Sequence, residues 1–364
     1  MTQEKIFSAA SQFTLVKGDM TIAPYGNGHI NDTFCICVDT GDVRPVRYIL
    51  QRVNRYVFPQ PERVIENIAR VTEYLRGVIA KEGGDPDRET LTLVKTQDGK
   101  DCHIDADGDL WRVYLFIEDT ISRDQPDTPE LFALSGAAFG RFQQQLEGFD
   151  ASQLYESIRD FHNTPARYGQ LMEAVKNNAA GRLGEVGPEL AFCMGYGEEV
   201  HTLLRALAAG EIPLRATHND TKLNNVLLDA ATGKGVCVID LDTVMPGLAA
   251  YDFGDSIRFG ANTAKEDERD LSKVTLSLTM FEAFVKGFLS EAKLGQRERE
   301  LLPMGAKLMT LECGMRFLAD HLNGDKYFKI HREGHNLDRA RTQFKLVRSM
   351  EENWDAMMEI VRNA

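Results

Sequence analysis

Apolar positions in this chain follow two different periods. Between Asp19 and Ile117 they form short runs: Thr21 to Tyr25, Thr33 to Val38, Tyr48 to Val53, Leu91 to Val94, Cys102 to Ile104 and Leu110 to Ile117. Asp98-Gly99 and Asp107-Gly108 supply turns between them, so the pattern predicts an antiparallel sheet. Pro61 to Glu82 interrupts these runs with Val64, Ile68, Val71, Leu75 and Val78 at helical spacing and Gly83-Gly84 as a stop, which predicts one long helix. Beyond the polar stretch Asp119 to Thr128 the period lengthens. Leu131 to Leu146, Tyr168 to Ala180, Pro188 to Ala209, Leu271 to Ala292, Arg297 to Asn323 and Asn336 to Arg362 predict helices, the first capped by Thr128 with Pro129 in its opening turn. The expected class is α+β, with a small antiparallel-sheet lobe over residues 1–117 and a larger, mainly helical lobe over 118–364.

One β signal falls inside the helical half. Val226 to Leu228 and Val236 to Ile239 are two apolar runs joined by Asp229-Ala-Ala-Thr-Gly-Lys234, a hairpin with glycine in its turn. Polar groups flank it on both sides: His218-Asn219-Asp220 and Asn225 before, Asp240 and Asp242 after. Phosphoryl transfer needs a carboxylate to accept the attacking hydroxyl's hydrogen bond, and oxygen ligands that hold Mg²⁺ against the phosphates. Asp220 suits the first task, Asn225 and Asp240 the second, and the protein-kinase loop H-R-D-L-x-x-x-N has the same aspartate-to-asparagine spacing. Lys222 is placed to aim an ammonium at the moving phosphate, and His218 supports the loop. Asp252-Phe253-Gly254 spells the protein-kinase metal motif, but it lies too far along once Asp240 closes the hairpin. Asp252 is therefore expected to cap backbone amides of the catalytic loop.

The nucleotide end is less sharply marked. Gly26-Asn27-Gly28-His29 belongs to a glycine-containing turn between the first two strands, where the amides of Gly26 and Gly28 would cover phosphates. The third strand offers Gln51 and Arg52 where a kinase carries a lysine, and adjacent strand residues face opposite ways, so only one can enter the cleft. Glu66 on the long helix is a candidate partner for Arg52. Ile117 and Glu118 end the last strand of the sheet, at the place of a hinge whose backbone binds adenine. Farther on, Glu312, Arg316 and Asp320 recur every fourth residue, which from spacing alone reads as a solvated charge ladder. His331 and His335 have the spacing of a zinc pair without its context and read as surface histidines.

Composition narrows the functional classes. A net charge of -13 over 364 residues disfavours nucleic-acid and anionic-membrane binding. Cysteines 35, 37, 102, 193, 237 and 313 form no CxxC pair and are expected as reduced, buried thiols. No basic leader with an apolar core and no long apolar window occurs, so a cytoplasmic protein with no membrane partner and no obligatory protein partner is expected.

The segments HNDTKLNN, IDLD and DFGDSIRFG resemble the aminoglycoside phosphotransferase and choline kinase-like superfamily. More narrowly, YGNGHIND, YILQRVN, WRVYLFIE, THNDTKLNN and LECGMRFLAD are similar to the N-acetylhexosamine 1-kinase family over nearly the whole chain. The resemblance implies a bilobal protein-kinase-like fold and transfer of the γ-phosphate of ATP, with Mg²⁺, to the anomeric hydroxyl of a small-molecule sugar, N-acetylglucosamine or N-acetylgalactosamine. By position it implies Asp220 as base, Asn225 and Asp240 as metal ligands, Asp242 as a supporting acid, and His29, Arg316 and Tyr327 as sugar contacts. Asn219, where antibiotic kinases usually carry glycine, and Gln51 in place of the lysine depart from the broader superfamily. Two other readings are weighed. One keeps the site and changes the acceptor to an amino alcohol such as choline, homoserine or an aminoglycoside; the other is a nucleotide-binding pseudokinase, which the retention of Asp220, Asn225 and Asp240 disfavours.

Overall fold

The computed structural model describes residues 1–26 and 30–364. Two compact units make up the chain. The first gathers residues 1–121, 148–158 and 227–245; the second gathers 122–147, 159–226 and 246–364.

In the first unit a five-stranded antiparallel sheet has the order β1-β2-β3-β5-β4, formed by β1 (Asp19–Pro24), β2 (Asp32–Asp39), β3 (Val46–Arg52), β4 (His103–Ile104) and β5 (Leu110–Leu115). Its register pairs Thr33 with Gln51 and Gln51 with Arg112. A helix absent from the pattern reading, α1 (Gln3–Ala10), is capped by Thr2 and adds Ile6, Ala9 and Ala10 to the core formed by Phe34, Ile36, Leu50, Trp111 and Val113. The long helix α2 (Pro61–Glu82) has its expected bounds, with Pro61 at the first turn and Gly83 at φ 81° as the left-handed cap. Its buried stripe of Val64, Ile68, Val71, Leu75 and Ile79 stabilises by about 1.5–3 kcal/mol per side chain. The expected strand Leu91 to Val94 reduces to a single bridge between Leu93 and Tyr114, beyond the short α3 (Pro86–Glu89).

Asn67, on the buried side of α2, joins the unit's three chain segments. Its Nδ2 donates to the carbonyls of Tyr155 and Val244 at 2.7 and 3.0 Å, and its Oδ1 accepts the Tyr155 amide at 2.8 Å. The hairpin of β8 (Val226–Asp229) and β9 (Gly235–Val238) also counts chiefly with this unit, where β8 pairs with β6 (Thr120–Ile121).

The second unit is helical: α4 (Pro129–Gln145), α5 (Thr164–Asn177), α6 (Gly187–Met194), α7 (Thr202–Ala208), α8 (Ala249–Gly260), α9 (Leu278–Glu291), α10 (Gln296–Glu300), α11 (Leu302–Asn323), α12 (His335–Glu352) and α13 (Trp354–Asn363), with β7 (Arg215–Thr217) leading into the loop that carries His218, Asn219 and Asp220. A further short strand, β10 (Met245–Gly247), crosses the boundary between the two segments. Three of the long helices expected from periodicity are each two helices here. Gly195 ends α6 before α7 begins, Leu301 separates α10 from α11, whose first turn holds Pro303, and Asn353 separates α12 from α13. Apolar spacing survives such breaks because both pieces bury the same side, whereas glycine, proline and asparagine end the backbone pattern.

Helix α8 carries the Asp252-Phe253-Gly254 string and was not foreseen as a helix. Gly254 explains part of its composition: a Cβ there would stand 2.4 Å from the Gly305 carbonyl oxygen of α11, and one on Gly305 would stand 2.3 Å from that of Ala250. The two helices touch backbone to backbone. Two further expectations are corrected. Glu312 and Asp320 are buried rather than part of a solvated ladder, and His335 is buried and bonds Asp267 at 3.1 Å. Glu66 lies on the exposed face of α2 beside Arg70, and Arg52 bonds elsewhere. All six cysteines are free, with Cys35, Cys193 and Cys237 buried and the other three half-buried.

Candidate active site

The loop after β7 is held almost entirely by α8. The Asp252 carboxylate accepts the amides of His218 and Asn219 at 3.0 and 2.7 Å, and Gln143 donates to it at 2.7 Å. Burial pushes the Asp252 carboxyl up, against the pull of His218 and these donors. One turn on, Asp255 accepts the Thr221 amide at 3.1 Å while Ser256 donates to the Thr221 carbonyl at 2.7 Å. Burial raises the Asp255 carboxyl too, but Arg258, Lys222 and His162 outweigh it and hold the group below its ordinary range. His218 is fully buried against Phe139 and Phe142, and its Nδ1 accepts the amide of Asp220 at 3.2 Å. Asn219 adopts φ 65°, a left-handed conformation that costs a non-glycine residue about 1 kcal/mol or more and persists because these bonds enforce it.

Asp220 projects from this loop with its side chain 24% exposed. Lys222 Nζ lies 2.8 Å from Asp220 Oδ1, and the charges of Asp220 and Asp255 raise the ammonium above its ordinary range. Asn225 spends its Nδ2 on the Asp220 carbonyl at 2.8 Å and on Asp220 Oδ2 at 3.4 Å. The amide oxygen of Asn225 is then left as an acceptor, a hard oxygen of the kind Mg²⁺ takes.

In the first unit Asp240 sits at φ 59° at the end of β9, a strained position for an aspartate. Asp242 is buried, with one oxygen 2.5 Å from Arg112 Nη1 and the other accepting Asn31 Nδ2 at 2.7 Å. Arg112 is itself buried, and Gln51 Oε1 accepts its Nε and Nη2 at 3.0 and 2.8 Å while Gln51 Nε2 donates to Thr33. Burial disfavours this guanidinium, yet the charges of Asp242, Tyr114 and Asp240 raise it. Gln51 thus orients a buried arginine from the neighbouring strand, and Arg52 bonds Asp32 and Asp109 instead. Sequence reasoning missed Arg112 because a charged residue in an apolar strand gives no sign of the face it occupies.

Around the expected hinge, Glu118 is tied to Arg47 and the Ile117 carbonyl accepts Thr120 Oγ1 at 2.9 Å. Tyr25 meets Phe116 edge to face at 5.6 Å, and the Arg47 guanidinium lies 3.9 Å from the Phe116 ring centre. Gly26 has φ 74°, open to glycine alone at no cost, whereas Gly28 and His29 fall outside the described residues.

Arg316 and Tyr327 come together in the second unit. The Arg316 guanidinium is framed by Phe161, Phe328 and Tyr327 at 5.4, 5.5 and 5.9 Å from their ring centres. Asp320, one turn along α11, fixes the aromatic segment by accepting the amides of Lys326, Tyr327 and Phe328 at 3.0, 2.9 and 2.9 Å. Arg316 makes no ion pair among the described residues, and the positive charge of Arg316 together with burial lowers the nearby Arg167.

Solved structures share this fold. The microcompartment-associated aminopropanol kinase matches at TM-score 0.55 and 16% identity over 97% of this chain and 98% of its own. An aminoglycoside phosphotransferase from Alicyclobacillus acidocaldarius matches at TM-score 0.59 and 15% identity over 98% and 95%. Aminoglycoside 2'-phosphotransferase-IIIa, solved as its GDP complex, matches at TM-score 0.54 and 13% identity over 100% and 99%. No helix among the described residues is long and apolar enough to cross a membrane. The sequence model of the phosphotransferase enzyme family (APH) matches residues 21–273, and the chain belongs to that family.

Proposed function

We propose that this phosphotransferase is an ATP-dependent kinase that phosphorylates the anomeric hydroxyl of an N-acetylhexosamine, N-acetylglucosamine or N-acetylgalactosamine, giving the sugar 1-phosphate. The observation that carries the acceptor class is Arg316: a guanidinium framed by three aromatic rings, with Arg167 close by and no ion pair of its own among the described residues. Such a site offers hydrogen-bond donors and a flat apolar surface. It suits a polyhydroxylated acceptor with a carbonyl, and repels an ammonium. An amino alcohol, the acceptor class named for the aminopropanol kinase of like fold, is the second reading.

In this reading Asp220 accepts the hydrogen bond of the attacking hydroxyl and aligns it with the γ-phosphorus. Lys222 holds that carboxylate in place. The Asn225 amide oxygen and the Asp240 carboxylate are the donors suited to Mg²⁺, which when bound spreads the charge developing on the phosphates. Gly26, Ile117 and Glu118 serve the nucleotide. Asp242 is held by Arg112, so neither Gln51 nor Arg52 does a lysine's work directly.

The test is release of ADP from Mg-ATP against N-acetylglucosamine, N-acetylgalactosamine, glucose, galactose, choline, homoserine and kanamycin, with Asp220→Asn in parallel. Turnover confined to the N-acetylated sugars and lost in the variant is the expected result. Preference for a cationic acceptor overturns the sugar assignment.

A further inference from the structure

The segment Asp160–Thr164 carries a histidine that the proposed reaction does not yet use. The His162 side chain is 9% exposed and lies against the rings of Phe161 and Tyr251 at 4.5 and 5.5 Å. Its Nε2 is 3.0 Å from the backbone carbonyl oxygen of Asn219, and its Nδ1 is 3.0 Å from Glu312 Oε1. The other Glu312 oxygen accepts Thr164 Oγ1 at 2.9 Å. A carbonyl oxygen can only accept, and so can an ionised carboxylate, so this geometry asks both ring nitrogens to donate.

We infer that His162 is a positioning residue, an imidazolium that bonds the Asn219 carbonyl and the Glu312 carboxylate and thereby fixes the residue before Asp220 against the helix carrying Arg316. The inference rests on the reading of Asp220 as the base. Asn219 stands at φ 65°, so its carbonyl direction is set by a conformation that needs outside support. Glu312 lies one helical turn before Arg316 on α11, so a single hydrogen-bonded chain runs from the acceptor-side helix to the catalytic loop. The groups facing the ring are Glu312 from α11, with Asp255 and Tyr251 from α8. Burial opposes the charge, but the bond to and charge of Glu312, the Asn219 carbonyl and Asp255 outweigh it and raise the imidazole above its ordinary value. A neutral ring would satisfy the same two contacts only if Glu312 carried the proton, and that alternative is measurable.

The test joins ¹⁵N spectra of histidine-labelled full-length protein, with His162→Gln assigning the resonance, to steady-state kinetics on whichever acceptor the panel selects. Both ring nitrogens should show the protonated pattern at neutral pH and lose it only on the alkaline side. In Glu312→Gln the His162 resonance should turn neutral at lower pH, and that selective shift assigns it even if His162→Gln does not fold. His162→Gln should lower kcat by about ten- to a hundred-fold with little change in KM for the nucleotide. Wild-type kcat should fall on the alkaline side as His162 loses its proton, that fall should be absent in His162→Gln, and adding Glu312→Gln, which supplies an amide partner, should recover part of the loss. A singly protonated ring at neutral pH, or wild-type kcat with an unchanged pH profile in His162→Gln, overturns the inference. Absence of turnover on every acceptor refutes the proposed function alone, because the spectra still decide the state of His162.

Discussion

Lys222 Nζ stands 2.8 Å from Asp220 Oδ1, two residues apart in one loop. The contact gives the carboxylate a fixed direction and a counter-charge at the cost of mobility in neither helix nor strand. Lys222→Met is expected to reduce kcat by about 10²-fold and Asp220→Asn by about 10³-fold or more, while thermal unfolding stays near wild type. Full activity in Asp220→Asn would remove it as the base.

Arg112 and Asp242 form a buried pair that no water can screen. Arg112→Met leaves the Asp242 charge uncompensated, and a loss of about 3–5 kcal/mol is expected in denaturant unfolding. Gln51→Met removes two bonds to the guanidinium and should cost about 1.5–3 kcal/mol. Equal stability of Gln51→Met and wild type would argue that the glutamine serves the nucleotide and not the arginine.

Arg316→Met keeps the apolar contact with the rings and deletes the donors. KM for the acceptor should rise by at least about tenfold, with KM for ATP unchanged. A parallel rise in both constants would show that Arg316 supports the fold of the unit and not acceptor binding.

Asp252→Asn halves the acceptor capacity presented to His218 and Asn219. A stability loss of about 1–3 kcal/mol is expected, with kcat reduced because the loop loses its alignment. Kinetics and unfolding on the same preparation separate the two effects.

The carboxyl of Asp255 is held low by Arg258, Lys222 and His162 against the effect of its burial. A depressed folded-state pKa contributes stability above the unfolded value of about 3.9, and that contribution is lost as pH falls through the lower folded value. The difference in unfolding free energy between wild type and Asp255→Asn should therefore be constant from neutral pH to about pH 4 and shrink below it. A difference that grows on acidification would reverse the assigned sign.

Much of the sheet and the span of α2 were readable because period-two runs and a Pro-to-Gly frame are local signals. Breaks within the helices were not, since Leu301 and Asn353 interrupt the backbone without disturbing the apolar stripe. The chemistry divides the same way. The HNDTKLNN string makes Asp220 and Asn225 candidates through spacing alone, whereas Arg112 and His162 stand out only because distant segments meet them: Gln51 and Asp242 for one, Asn219 and Glu312 for the other. Asp320 illustrates the cost of reading charge from periodicity. It sits at ladder spacing from Arg316, yet its carboxylate is spent on three backbone amides.

The three bonds of Asn67 bear on biosynthesis. They join a helix near the start of the chain to Tyr155 and to Val244, so the first unit cannot complete these bonds until the ribosome has released residues past the hairpin. During that interval the Asn67 amide lacks the Val244 carbonyl that it bonds in the folded unit. A truncated product ending near residue 121 would lack both Tyr155 and Val244 and leave the buried Asn67 amide without these partners, which makes the fragment a poor choice for isolating the sheet.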